Sequence, residues 1–256
     1  MSNHSIRYYL DVTIVLAEKF FKIRYRSSVL GFLWSIMNPL AYMVVLTVVF
    51  SFLRGTKTTA FAAWLLVGLL VWRYFSVGTA QGLFSLVGNR SLVESVYIPR
   101  YIIVISNNLA NLLGAALEFL VLTPMLLLLG VHLTGYALLL PMILILEFFL
   151  VFAASLWLSS LNVRYRDFHE LWGIALQLGF FLSPIFYEIG AVPERYRFIY
   201  SLNPVACLIE SARSILIHHH FPSLFDSAVI ISSIGVLLAV GLLVFRRLEP
   251  RFAEEL

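Results

Sequence analysis

The chain has 256 residues, of which 61% are hydrophobic, 15% aromatic and only 12% charged, with a net charge of +4 and a mean hydropathy of +0.91. This composition excludes a single water-soluble core and demands an integral membrane protein, and the basic balance follows from membrane topology rather than from nucleic-acid binding. One cysteine, Cys207, excludes an internal disulfide and a thiolate metal cluster.

Residues 1–22 do not read as a cleavable leader, because charges run through the segment and no small-residue cleavage site follows a compact apolar stretch. On a 3.6-residue wheel Arg7, Asp11, Glu18 and Lys22 share one narrow face, while Ile6, Tyr9, Leu10, Leu16, Phe20 and Phe21 lie opposite. Arg7/Asp11 and Glu18/Lys22 are i,i+4 pairs. The pattern predicts an amphipathic helix on a membrane surface.

Crossing a hydrocarbon core of roughly 30 Å takes about 20 apolar residues. Hydropathy predicts six such spans, at about 29–53, 60–83, 101–130, 136–161, 170–188 and 226–245. Runs this long favour helices over a β-barrel, whose strands alternate at every second residue. An even number of spans returns both termini to one side. Twelve Lys and Arg fall on that side, against Arg54, Lys57, Arg195, Arg197 and Arg213 on the other, so the positive-inside bias predicts cytoplasmic termini.

Arg24 and Arg26, followed by Ser27 and Ser28, form a basic, hydroxyl-bearing collar where the interface helix turns into the first span. Basic side chains at that level sit among lipid phosphates. Pro39 then removes a helical hydrogen bond within the span. Arg73, Glu118 and Glu147 lie inside spans at comparable depth. Charge is costly in hydrocarbon, so Arg73 is expected to pair with Glu118 or Glu147; a proton relay is the alternative use of the same three residues.

The connections are informative too. Residues 84–100, FSLVGNRSLVESVYIPR, predict a short helix near Ser91 to Val96 that stops at Pro99, suited either to docking a cytoplasmic partner or to a tight turn. NVRYRDFH, residues 162–169, repeats the Arg-Tyr-Arg triplet of residues 24–26 on the same side. Residues 183–223 are too polar and proline-rich to cross as one helix, yet too apolar for a free loop. They are expected to fold back into the outer leaflet, with Asn203 as N-cap and Pro204 opening a helix. Broken backbone at membrane depth implies a cavity or an external gate. No P-loop, zinc-protease or nucleophile-elbow motif occurs, so the chain is not expected to be an enzyme or to hydrolyse ATP by itself. The run His218 to His220 reads as polar outer surface.

Taken together, KIRYRSSVLGFLWSIMNPL, VESVYIPR, NVRYRDF, SPIFY and NPVACLIESAR, in this order over nearly the whole chain, resemble the ABC-2 type permeases that export O-antigen, capsule and teichoic acid polysaccharides. The resemblance implies an all-α integral membrane protein of the ABC-2 (type V) exporter fold, one transmembrane domain over residues 1–256. Its parts would be an interface helix (1–26), six spans, a coupling region (84–100) and external gate helices (184–218). It further implies a homodimer in the bacterial inner membrane, served by two copies of a separate P-loop ATPase that binds ATP and Mg, with no cofactor in this chain. An undecaprenyl-pyrophosphate-linked glycan is the implied cargo.

By the same resemblance, Arg24, Arg26, Ser27 and Ser28 lie where a lipid head group enters, and Glu94, Tyr97, Pro99 and Arg100 meet the ATPase. Pro184, Tyr187, Asn203 and Pro204 belong to the external gate. Sugar C–H faces stack on aromatic rings, which makes Phe32, Trp34, Tyr42, Trp72, Tyr74, Phe180, Phe181 and Tyr187 candidate channel residues. Rings near span ends also suit an interfacial belt. A small-molecule exporter of the same family and an ion-coupled secondary transporter built on Arg73, Glu118 and Glu147 are the competing readings.

Overall fold

In hydrocarbon every backbone N–H and C=O must be satisfied within the protein, and this chain meets that demand with helices. The computed structural model describes residues 3–26, 31–54, 58–95 and 98–255. Ser27, Ser28 and Tyr97 lie outside the described residues, as do the side chains of Ile6 and Arg26. The helices are α1 (Asn3–Arg26), α2 (Leu33–Arg54), α3 (Thr58–Phe84), α4 (Arg90–Ser95), α5 (Tyr101–Leu128), α6 (Leu140–Arg164), α7 (Phe168–Leu182), α8 (Glu194–Ser201), α9 (Pro204–Leu216), α10 (Leu224–Leu248) and α11 (Phe252–Glu255).

Among the described residues five helices, α2, α3, α5, α6 and α10, are long and apolar enough to cross a membrane. The fifth expected span, at 170–188, is cut short. Helix α7 has 15 residues, about 22 Å, and ends at Leu182. Pro184 is the cause: the residue before a proline is driven out of the helical region, and Ser183 is extended at φ −99° and ψ 145°. Other ends follow local chemistry as well. At the end of α5, Gly130 takes φ 87°, which lets the Val131 N–H reach the Leu126 carbonyl at 3.0 Å. The Asn203 side chain caps α9 by accepting from the N–H groups of Val205 at 3.0 Å and Ala206 at 3.4 Å.

Helix α3 is the centre of the bundle. Ala63, Leu65, Leu66, Val67 and Val71 are fully buried, and the helix packs on α2, α5, α6 and α9. Glycines set its distance from α6. A Cβ at Gly82 would stand 1.9 Å from the Ser155 hydroxyl, and one at Gly78 would stand 2.7 Å from Val151. Helix α10 packs along the opposite side of α6, where Gly241 faces the Ala153 carbonyl in the same way.

Helix α1 lies along α5 and buries Leu16, Ala17 and Phe20. The expected single apolar face is split: Leu10, Ile14, Val15 and Ile23 are exposed. One apolar stripe therefore packs on the bundle and the rest remains available to lipid. Of the two expected i,i+4 pairs, Lys22 and Glu18 meet at 2.5 Å. The lysine holds the Glu18 carboxyl below its usual range, through a hydrogen bond first and charge second.

Candidate functional site

Arg73 of α3 stands where two adjoining cavities meet, since Asn38, Arg73 and Val77 line both. Its Nε donates to Glu118 Oε2 of α5 at 2.9 Å. The carboxylate is almost fully shielded and the guanidinium keeps one side open to the cavities. Glu147, the other expected partner, is fully buried on α6 and makes no ion pair among the described residues. The three ionisable residues therefore do not form one cluster.

One cavity, of about 350 Å³, is polar. Arg24, Tyr25, Ser35, Asn38, Gln81, Asn111 and Glu118 contribute to it, and Arg24 donates to Gln81 Oε1. Pro39 contributes indirectly, because a proline has no N–H for the carbonyl four residues earlier, and that residue is Ser35 in this wall. The arrangement joins two guanidinium groups with amide and hydroxyl dipoles, a chemistry suited to anionic or heavily hydroxylated groups.

The second cavity, of about 470 Å³, is aromatic. Tyr42 of α2, Trp72 of α3 and Phe180 and Phe181 of α7 line it, with Gln177 and Ser76 as polar points. Phe180 is the hub: its centroid is 6.1 Å from Trp72, 6.3 Å from Tyr42 and 5.4 Å from Phe181. Gly179 makes this possible, since a Cβ there would stand 2.8 Å from the Trp72 ring. From Phe180 the rings continue outward through Phe186 at 5.8 Å, Tyr187 at 5.2 Å from Phe186, and Tyr200 at 6.2 Å from Tyr187. Tyr187 also donates to the Phe181 carbonyl at 3.0 Å.

The remaining sequence candidates separate. Trp34 and Tyr74 line the polar cavity, the Tyr74 hydroxyl being buried without a hydrogen-bond partner among the described residues. Phe32 lines neither cavity and packs on Tyr25 at 5.4 Å. At the other end of the bundle, Glu94 is exposed on α4 and pairs with Arg90 at 2.7 Å. Arg100 turns away toward the C-terminal turn, donating to the Glu249 carbonyl at 3.3 Å, and Pro99 is half-buried beside it. In the hairpin, Pro184 lies in the break after α7, while Asn203 and Pro204 start α9. Cys207 is buried there, its thiol 3.3 Å from the Ser201 carbonyl.

Phe186, Tyr200, Gln81 and Gly179 belong to this region and were not singled out from sequence. Phe186 had a signal, lying inside the SPIFY stretch; Gly179 had none, because its role depends on a ring from another helix.

Comparison with known proteins supplies the remaining inference. Residues 12–217 match the family described as ABC-2 type transporter. The chain is 29% identical over 259 residues to the O-antigen export system permease protein RfbA of Klebsiella pneumoniae, covering 98% of this chain and 97% of that protein. It is 27% identical over 254 residues to the protein of the same name in Myxococcus xanthus, covering 97% and 96%. A bundle of long apolar helices around a two-part cavity, and a family match over most of its length, make this chain a membrane permease of the ABC-2 type transporter family.

Proposed function

We propose that the chain is the membrane-spanning subunit of an ATP-driven exporter that moves lipid-linked polysaccharide of the O-antigen type across the bacterial inner membrane. The observation that carries this reading is likeness along nearly the full chain to O-antigen export permeases. The joined cavities add chemical support. A cargo with an anionic head and a sugar chain fits a polar cavity holding Arg24 and Arg73 beside a cavity walled by Tyr42, Trp72 and Phe180.

In this reading α7 and the hairpin that follows complete a sixth crossing, and both termini face the cytoplasm, where twelve basic residues collect. Two copies form the pathway between them. Each copy meets a P-loop ATPase through residues 84–100, including Glu94, Tyr97, Pro99 and Arg100, with residues 162–169 beside them. The pyrophosphate lipid head enters at Arg24, Arg26, Ser27 and Ser28. ATP closes the two ATPases, their motion separates the permease halves, and the sugar chain slides over the rings while its hydroxyls keep water.

The decisive experiment is purification from the native membrane in mild detergent with stoichiometric identification of whatever soluble protein accompanies the chain. An equimolar P-loop ATPase, lost when residues 94–100 are altered, fits the proposal. A chain that emerges alone, and whose transport follows a proton or sodium gradient without ATP, overturns it.

A further inference from the structure

Arg213 of α9 is fully buried, yet it touches three separate parts of the fold. Its Nη1 donates to the Pro184 carbonyl and to Glu210 Oε1, both at 2.7 Å, and its Nη2 donates to the Ile185 carbonyl at 3.0 Å. Its Nε donates to the Trp64 carbonyl of α3 at 3.3 Å, and its Cζ lies 3.3 Å from the centroid of the Trp64 ring. Gly68 completes the slot, because a Cβ there would stand 2.6 Å from Nη2 and 3.3 Å from the Ile185 carbonyl.

Packing alone does not call for this residue. A buried ion pair is commonly matched or bettered in stability by apolar side chains of similar volume, and the other buried side chains of α9 are apolar or small, with Ser211 and Ser214 the buried hydroxyls. What only arginine supplies is a rigid fork of donors with a flat face for stacking. Two of the carbonyls it serves, those of Pro184 and Ile185, belong to the break after α7, where Pro184 has ended the helix. At membrane depth such carbonyls need donors from elsewhere in the protein. Arg213 therefore ties the segment after α7, α9 and α3 into one body. Trp64 and Arg73 share helix α3, nine residues or about 13 Å apart, so the body that holds the outer hairpin also carries the junction of the two cavities.

We infer that Arg213 is a positioning residue that latches the outer hairpin onto α3 and keeps the outer end of the pathway shut between transport cycles. This rests on the exporter reading above. Glu210 balances the guanidinium and, with 29% of its side chain exposed, is the component of the latch that reaches toward solvent.

The test is the resting leak of a trapped anionic dye from vesicles of phosphatidylethanolamine and phosphatidylglycerol containing the permease with its ATPase, normalised to folded protein. Wild type should be tight without ATP. Arg213→Lys, which keeps the charge and loses the fork, should leak about tenfold faster, and Glu210→Gln should leak by a smaller factor. A merely structural arginine would lower the folded yield and leave the leak per folded protein unchanged; that result, or a tight Arg213→Lys, overturns the latch. Where the arginine variant does not fold, Glu210→Gln decides alone: a raised leak supports the latch and an unchanged one ends it. Absence of ATP-driven glycan transport by wild type would sink the exporter reading separately.

Discussion

Arg73 and Glu118 close a 2.9 Å ion pair between α3 and α5 at the junction of a polar and an aromatic cavity. The pair neutralises a charge that the bundle cannot leave bare, while the open side of the guanidinium still faces the cavities. Structure and function are therefore separable at this position by mutation.

Glu118→Leu should destabilise the detergent-solubilised protein by about 3 kcal/mol, because it strands Arg73 in a low-dielectric bundle. The double variant Arg73→Leu/Glu118→Leu should recover most of that loss, since both charges are gone. Export should stay low in both. Thermal unfolding of the purified variants, read beside surface glycan, checks this, and a double variant with full export would remove Arg73 from the pathway.

Phe180 is the hub of the ring network, so Phe180→Ala should slow glycan export about tenfold or more at unchanged protein level, while Phe180→Trp should stay near wild type. Gly179→Leu should reproduce the loss by displacing Trp72. Equal export by all three variants would show that the rings serve only packing.

Helix spacing gives a control pair. Gly82→Ala places a methyl 1.9 Å from the Ser155 hydroxyl and should cost about 1–3 kcal/mol through separation of α3 from α6. Gly88→Ala meets nothing within 4 Å and should be close to neutral. The difference in melting temperature between these variants measures the α3–α6 contact.

Cys207 offers a label-based probe of the hairpin. Its thiol is buried, which keeps a reagent from reaching the sulfur. Maleimide labelling at pH 7.5 should be at least about 100-fold slower in the native permease than in detergent-denatured protein. Faster labelling of native Arg213→Lys than of native wild type would report that α9 has come loose.

Much about this protein was determined by the sequence alone. Long apolar runs demand helices in a membrane, so α3, α5, α6 and α10 lie close to their expected positions; Asn203 and Pro204 start α9 because capping is a local reaction of neighbouring residues. The same local logic, applied to Pro184, could have ended the fifth span at Leu182. Which charges meet was decided only by tertiary structure. Arg73 chose Glu118 over Glu147 because helix rotation, not depth, sets which side chains face each other. Gly179 and Gly68 likewise matter only through Trp72 and Arg213, rings and guanidinium groups that arrive from other helices. One-dimensional pattern reports what a segment must bury, and three-dimensional packing decides against what.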